Sequence, residues 1–174
     1  MMWAGVSNVL HSSKKRQGNF IFRVAIVLVI ITAFLCSQYL VQFMIVQGSS
    51  MEPTFHNYQL VLLKKVPQKY EPGDVIAFYC DGLNATLVKR IVATPGDTVQ
   101  IVNGTLLVNG IVSGVFSEDG EFSDAGILSQ PVLLQEHEYA VIGDNIEQSK
   151  DSRNELVGPV VEQSILGVVL ERKS

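Results

Sequence analysis

The sequence predicts a mainly β domain, built as a barrel or sandwich, that follows one N-terminal transmembrane helix. Two observations predict this fold class. Short apolar runs separated by turn residues recur from residue 47 onward without a helical period, and one long apolar run precedes them. A chain of 174 residues suits one such domain with an appendage better than two full domains.

The long apolar run spans residues 24–46 and predicts the transmembrane helix. At about 1.5 Å per residue, a helix over this run matches a hydrocarbon core of roughly 30 Å. A cleaved signal peptide and a buried core helix are the alternatives. The run is longer than the apolar part of a signal peptide, and no A-x-A-like cleavage site follows it. A domain this small would also struggle to enclose such a helix, so a retained anchor is favoured.

The segment before this run predicts the orientation of the anchor. Residues 11–23 contain no acidic residue and carry four basic ones, namely Lys14, Lys15, Arg16 and Arg23. Basic segments beside a transmembrane helix stay on the cytoplasmic side. The expected protein is a single-pass protein of the cell membrane in three parts: a cytoplasmic N-terminus (1–23), an anchor (24–46) and an extracytoplasmic domain (47–174).

The rest of the chain reads as strands joined by tight turns. Alternating or continuous apolar character predicts strands at Gln59–Lys64, Asp74–Tyr79, Thr86–Ala93, Thr98–Val102, Thr105–Val108, Glu138–Ile142 and Ile165–Leu170. Asn103-Gly104 separates two of these runs and is the strongest hairpin signal. The stretch Ser113–Ser129 is rich in Gly, Ser and acidic residues and is predicted to be a loop.

Three polar clusters, residues 48–54, 89–97 and 143–153, are candidates for chemistry. Taken singly, each also fits a purely structural role. The serines before Pro53 fit an ordinary turn, and residues 95–97 are turn chemistry as well. The charged residues of the last cluster fit surface ion pairs worth about 0–1 kcal/mol.

Lys89 is the least ordinary of these residues because it interrupts a strand whose two faces are otherwise apolar. Burial disfavours the charged ammonium and lowers its pKa, which makes a lysine a general base near neutral pH. A serine hydroxyl needs such a base to become a nucleophile. The histidines, His11, His56 and His137, lie in no motif that suggests a Ser-His-Asp triad. A lysine base is therefore the simpler hypothesis.

Together the three clusters resemble the type I signal peptidases, the membrane-bound Ser/Lys endopeptidases of bacterial export. The matching motifs follow in the family's order: Gly48-x-Ser50-Met51-x-Pro53-Thr54, Lys89-Arg90-Ile91-x-Ala93-x-Pro95-Gly96-Asp97 and Gly143-Asp144-Asn145-x-x-x-Ser149-x-Asp151-Ser152-Arg153. The resemblance covers the anchor and nearly all of residues 44–170. It implies the family's β-rich catalytic domain, with an extended substrate strand beside the site.

The resemblance also implies a role for each matched residue. Ser50 would be the nucleophile, Lys89 the general base, and the backbone N–H of Ser50 a donor to the oxyanion hole. Ser149 would hydrogen-bond Lys89 and orient it. The remaining residues would support the site: Arg90 with Asp144 and Asp151 with Arg153 as ion pairs, and Met51 with Pro53 shaping the turn behind the nucleophile.

Gly48 is a departure from part of the family. Some Gram-negative members carry a serine there whose hydroxyl adds to the oxyanion hole. The glycine, the single anchor and the lack of room for a large second β-domain all resemble the Gram-positive members.

The implied function is removal of N-terminal signal peptides from exported precursors through an acyl-enzyme. The implied partners are those precursors and the lipid bilayer, with the export machinery or a pilin-type client as further candidates. No metal or organic cofactor is expected, because no ligand cluster is visible. A net charge of −4 without a basic stripe after residue 23 argues against nucleic-acid binding.

Two alternatives compete with this function. A self-cleaving Ser/Lys regulator of the LexA type is disfavoured by the anchor and by the lack of a DNA-binding segment. A non-enzymatic assembly factor or chaperone for surface structures such as pili is disfavoured by the intact Ser50 and Lys89, since binding would not need both. A peptidase dedicated to such a client stays open beside general processing.

Overall fold

The computed structural model describes residues 22–34, 40–65, 69–116 and 122–170. The chain divides into two compact units, residues 1–40 and 41–174. In the first unit, residues 22–34 are helical and their large apolar side chains are exposed. No helix within the described ranges is both long and apolar enough to cross a membrane.

The predicted anchor differs from the structure at its C-terminal end. Val41–Ile45 forms strand β1, which pairs antiparallel with β2 (Leu60–Lys64), and Met44 packs against the core below. The limit at residue 46 is therefore wrong, because an apolar run does not reveal which of its parts joins a sheet. The rest of the predicted cytoplasmic segment and anchor, in residues 1–21 and 35–39, lies outside the described residues.

The second unit is built from two antiparallel sheets, which confirms the mainly β prediction. The larger has the order β1-β2-β11-β3-β4-β9-β10, and the smaller has the order β7-β6-β5-β8. The further strands of the larger sheet are β3 (Val75–Cys80), β4 (Ala85–Ala93), β9 (Glu138–Ile142), β10 (Val160–Val161) and β11 (Ile165–Val169). Those of the smaller sheet are β5 (Thr98–Val102), β6 (Thr105–Val108), β7 (Ile111–Val112) and β8 (Val132–Leu133). Short 3₁₀ turns lie at Asp81–Leu83, Gly126–Ser129, Ile146–Gln148 and Glu162–Ser164.

The hairpin predicted at Asn103-Gly104 is confirmed. These two residues connect β5 to β6 and have φ values of 49° and 79°. Two-residue hairpin turns that match the twist of the strands need positive φ at both positions, which Asn and Gly adopt most readily.

The central strand β3 is continuously apolar because both of its faces are buried. Val75 and Ala77 face one core cluster, and Ile76 and Phe78 face another. A strand covered on both faces needs apolar side chains at successive positions. Burial of each large side chain stabilises the fold by about 1.5–3 kcal/mol.

The predicted loop over Ser113–Ser129 is only partly a loop. Phe122 and Leu128 are buried in the core cluster under the smaller sheet, and residues 126–129 form a 3₁₀ turn. Residues 117–121 lie outside the described part. The polar composition of the stretch concealed these two isolated apolar anchors, because neither belongs to a periodic run.

The larger sheet positions the site through β1, β4 and β9. In β4, Lys89 stands opposite Ile76 of β3, and Arg90 stands opposite Ile142 of β9. β1 leads directly into the segment that carries Ser50, and β9 leads directly into residue 143. β4 and β9 are neighbours in the sheet, whereas three strands separate β1 from β4, and the contact between Ser50 and Lys89 joins the first polar cluster to the second.

Candidate active site

Ser50 lies in a turn that follows β1. The chain on either side of it is held: Tyr58 N–H donates to the Val46 carbonyl at 2.8 Å, and Phe55 N–H donates to the Met51 carbonyl at 2.9 Å. Met51 itself is fully buried in the core cluster beneath β1 and β2, so it anchors the residue next to Ser50. Pro53 is exposed in the turn that follows.

Lys89 projects from β4 towards Ser50. Its Nζ lies 2.7 Å from Ser50 Oγ and 2.9 Å from the Val88 carbonyl oxygen. The side chain is 2% exposed, and no carboxylate among the described residues lies within ion-pair distance of it. A buried amine in direct contact with a serine hydroxyl has the geometry of a base and its nucleophile.

Burial lowers the pKa of Lys89 from 10.5 to about 8. Loss of hydration is the main cause, because it disfavours the charged ammonium. The carboxylates of Asp151 and Asp144 act in the opposite direction from a distance, since their negative charge favours the ammonium. A minor fraction of Lys89 is therefore neutral at pH 7, and the neutral form predominates above a pH of about 8.

The backbone N–H of Ser50 is free to act as a donor. None of the hydrogen bonds between described residues uses it. Just before it, Gly48 has φ of +91°, a conformation that residues with a side chain rarely adopt. A free N–H beside a nucleophilic oxygen is the arrangement that binds the oxyanion of an acyl-transfer intermediate.

Arg90 and Asp144 form a two-pronged ion pair beside this site. Arg90 Nε and Nη2 donate to the two carboxylate oxygens of Asp144 at 2.8 and 2.7 Å. Arg90 Nη1 also donates to the Gly73 carbonyl at 2.8 Å. The pair joins β4 to the loop after β9 and brings Asp144 close enough to influence the pKa of Lys89.

Asp151 and Arg153 form a second and more deeply buried pair. Arg153 Nε and Nη2 donate to the carboxylate of Asp151 at 2.8 and 2.9 Å, and Asp151 is completely buried. Asp151 also accepts the backbone N–H of Gly143, and Arg153 Nη2 donates to the Ile146 carbonyl. This network holds the loop that runs from residue 143 to residue 153.

Ser149 does not form the hydrogen bond to Lys89 that the family resemblance implied. Its Oγ is buried and has no hydrogen-bond partner among the described residues. Lys89 is instead held by Ser50 and the Val88 carbonyl. Ser149 nevertheless borders the site: a Cβ on Gly143 would lie 2.2 Å from Ser149 Oγ and 2.5 Å from the Ser50 carbonyl oxygen. Only glycine fits between these two residues.

A cleft of about 270 Å³ opens at the pair of Ser50 and Lys89. One wall of the cleft includes Met44 and Val46, and the other includes Thr86 and Val88. β3 pairs with residues 85–88 of β4 along one edge, but β9 pairs with β4 only over residues 90–93, so the other edge of residues 85–88 borders the cleft. In the described part of the chain, no group of three or more His, Cys, Asp or Glu side chains is placed to hold a metal ion.

Comparison with known proteins decides the family. The model of the family described as signal peptidase, peptidase S26, matches residues 19–172. This chain belongs to that family.

Relatives within the signal peptidase family agree with this assignment. A signal peptidase I of Bacillus licheniformis is 33% identical over 155 residues, which is 83% of each chain. Signal peptidase I P of Bacillus subtilis subsp. natto is 32% identical over 169 residues, 89% of each chain. The crystal structure of a signal peptidase I from Enterococcus faecalis is 29% identical, with a TM-score of 0.46 over 59% of this chain and 98% of that one.

In the structure, three Asn and Gln residues contact residues 48–50. The signal peptidase motifs did not predict these contacts. Asn145 Nδ2 and N–H donate to the carbonyl oxygens of Ser49 and Ser50, at 3.2 and 3.0 Å. Ser49 Oγ donates to Gln148 Oε1 at 2.8 Å, and Gly48 N–H donates to Asn57 Oδ1 at 2.9 Å. Asn145 belongs to a predicted motif, but Asn57 and Gln148 carry no signal of their own, because sequence does not show which distant residues an amide contacts.

Proposed function

We propose that this chain removes signal peptides from exported precursor proteins, with Ser50 as the nucleophile and Lys89 as the general base. The observation that carries the assignment of residues is the 2.7 Å contact between Lys89 Nζ and Ser50 Oγ. Relatives named signal peptidase I support the reaction and do not favour an assembly-factor role. A pKa of about 8 for Lys89 supports its role as a base.

In the first half of the reaction, neutral Lys89 accepts the hydroxyl proton of Ser50 while Ser50 Oγ attacks the carbonyl carbon of the scissile peptide bond. The negative charge that develops on the carbonyl oxygen is stabilised by the backbone N–H of Ser50, which is free to donate. Protonated Lys89 then gives its proton to the departing amine. The mature protein leaves, and the signal peptide stays attached to Ser50 as an ester.

In the second half, Lys89 is neutral again and serves the same role for water. It accepts a proton from a water molecule that attacks the ester carbonyl, and it returns that proton to Ser50 Oγ as the bond breaks. The signal peptide leaves with a new carboxylate. The side chains that carry both halves come from this chain alone.

The cleft accounts for the form of the substrate. We propose that the precursor lies as an extended strand between residues 85–88 of β4 and the segment around Val46, where β4 has no pairing with β9. Peptide recognition by strand addition uses such uncovered backbone. The apolar walls formed by Met44 and Val88 suit small residues at the first and third positions before the cut.

The proposed organisation keeps the N-terminus in the cytoplasm and the β unit outside. The basic residues before position 24 and the exposed apolar side chains of the helical residues 22–34 support an anchor in this region that ends before β1. In the sequence Ser50 follows this region by a few residues, which suits a membrane-inserted precursor as the substrate. The precursor and the bilayer are the partners of this proposal.

The test is cleavage of a signal-peptide-bearing precursor by the full chain in liposomes, with the new N-terminus determined by mass spectrometry. Wild-type protein is expected to cut after a small-x-small sequence, and Ser50→Ala is expected to abolish the cut. Ser164→Ala is the matched control, because that hydroxyl donates to the Val161 carbonyl and lies outside the proposed site. Cleavage that persists in Ser50→Ala would exclude Ser50 as the nucleophile, and no cleavage by wild type would count against the function.

A further inference from the structure

The segment that carries Ser50 belongs to no strand or helix. We call residues Gly48–Ser50 the nucleophile turn; it lies between β1 and the turn that begins at Met51. Lys89, in contrast, is fixed within β4, where it pairs with Ile76 of β3 and directly precedes the residues that pair with β9. The distance between Lys89 Nζ and Ser50 Oγ therefore depends mainly on what holds the nucleophile turn.

Three amide residues hold this turn: side-chain amides bind Gly48 and Ser49, and the backbone N–H of Asn145 binds Ser50. Asn57 Oδ1 accepts the N–H of Gly48 at 2.9 Å, and Gln148 Oε1 accepts the hydroxyl proton of Ser49 at 2.8 Å. Asn145 holds the carbonyl groups of Ser49 and Ser50. Asn57 approaches from the segment between the serine motif and β2, while Gln148 approaches from the loop after β9.

We infer that Asn57 and Gln148 are positioning residues that hold Ser50 Oγ within reach of Lys89. This inference rests on the proposed role of Ser50 as the nucleophile. Neither side chain touches the Ser50 hydroxyl or Lys89; each acts by fixing the backbone or side chain of a residue immediately before the nucleophile. The two contacts come from two separate segments of the chain, one close in sequence and one distant, so together they fix both residues that precede Ser50.

The hydrogen bonds of Asn57 and Gln148 should affect the rate of the reaction more than the stability of the fold. A displacement of about 1 Å at the reacting atoms is enough to slow a reaction strongly, whereas an exposed hydrogen bond contributes little to folding. Loss of either bond is therefore expected to lower kcat by about two- to tenfold, with KM nearly unchanged. The pH at which Lys89 titrates should also stay the same, because neither side chain contacts Lys89.

The first test uses variants of Gln148 in the full chain. Gln148→Ala and Ser49→Ala are each expected to lower kcat, and the double variant is expected to be no worse than the more affected single variant, because both remove the same bond. Gln148→Glu keeps an acceptor oxygen and should restore kcat on the alkaline plateau. Glu147→Ala is the matched control. Glu147 is the residue before Gln148, but its carboxylate accepts a hydrogen bond from the Ser123 hydroxyl, outside the nucleophile turn.

The second test applies the same logic to the contact between Asn57 and Gly48. Asn57→Ala should lower kcat, and Asn57→Asp, which keeps the acceptor oxygen, should restore it. Gln59→Ala is the control in the same segment, because Gln59 accepts the N–H of His56 instead of a group in the nucleophile turn. Thermal unfolding of every variant is measured alongside, and the midpoint is expected to stay within a few degrees of wild type.

A second readout separates this inference from the proposed function. The rate at which a small serine-directed acylating reagent labels Ser50 reports the reactivity of Ser50 without a precursor, and it should fall in Gln148→Ala and Asn57→Ala. If wild type is labelled but cleaves no precursor, the proposed function fails while the labelling rates still decide the positioning role. Equal kcat and labelling rates in wild type and both alanine variants would overturn the inference. Equal losses in the two control variants would overturn it as well.

Discussion

Two buried cations of the β unit have opposite surroundings. Arg153 is 8% exposed and is held by both oxygens of Asp151, by backbone carbonyls and by the face of Phe122, whose ring centre lies 5.2 Å from the guanidinium carbon. Lys89 is 2% exposed and contacts one hydroxyl and one carbonyl. A buried charge is stable when a counter-charge replaces the lost water, and otherwise the group tends to lose its charge.

The two side chains also differ in whether they can lose a proton. Arg153 cannot give up its proton in a protein, so burial requires Asp151 beside it. Lys89 can, and its surroundings lower its pKa to about 8. The surroundings of Arg153 therefore stabilise a charge, whereas the surroundings of Lys89 favour its neutral form.

The largest expected effect comes from giving Lys89 the chemistry of Arg153. Lys89→Arg keeps a cation but removes a group that can be neutral, so cleavage should fall on the order of 10²–10⁴-fold at every pH. Lys89→Met also removes the charge, and it should lower the rate of cleavage by a similar factor. Precursor cleavage in liposomes measures both, with thermal unfolding as a check that the variants fold.

Lys150→Arg is the matched control for this substitution, because Lys150 is exposed and lies in the loop after β9. It should cleave at the wild-type rate. If Lys89→Arg regained activity at high pH, a base other than Lys89 would have to be at work.

The next effect is on stability and comes from taking the counter-charge away from Arg153. Asp151→Asn leaves a buried guanidinium without its carboxylate, and removal of one partner of a buried pair costs about 3–5 kcal/mol. Urea unfolding of the full chain in detergent should show a loss of this size. Glu155→Gln alters an exposed carboxylate nearby and should stay within about 0.5 kcal/mol of wild type. Equal stability of Asp151→Asn and wild type would show that backbone carbonyls alone satisfy Arg153.

The sequence predicted the strands well where turn residues mark their ends. The predicted and observed limits of β5, β6 and β9 are identical: Gly, Asn or Asp stands at both ends of β5 and β6, and Gly143 follows β9. β1 was hidden in the longer apolar run before it, and β7, β8 and β10 have two residues each, too few for an alternating pattern. The local sequence pattern therefore identified strands whose ends are marked by turn residues, and it missed strands that are defined only by their pairing with another strand.

The site shows the same limit. The motifs selected Ser50 and Lys89, and the structure brings their side chains into contact. The expected bond from Ser149 to Lys89 is absent, and the contacts of Asn57 and Gln148 were not predicted. A motif specifies residue types along the chain, whereas these contacts depend on where a side-chain rotamer points after folding. The catalytic hypothesis could be read from sequence, but the arrangement that supports it could not.

The smallest predicted effect is a shift in the pH dependence of cleavage. Lys89 must be neutral to accept the Ser50 proton, so activity should rise with pH through a midpoint near its pKa of about 8 and level off above it. Asp144→Asn removes a carboxylate that favours the ammonium form of Lys89 and breaks the ion pair between Asp144 and Arg90. Loss of the carboxylate makes protonation of Lys89 harder, so the midpoint should move to lower pH.

This shift should be smaller than the one that burial produces, because desolvation is the larger influence on the Lys89 pKa. kcat is measured across the pH range for wild type, for Asp144→Asn and for Glu136→Gln, an exposed carboxylate in the turn before β9 that should leave the midpoint unchanged. A midpoint that moved upward in Asp144→Asn would mean that the loss of the Arg90 ion pair opens the site to water, since renewed hydration favours the ammonium. In that case Asp144 would protect the dry surroundings of Lys89 more than it tunes its charge.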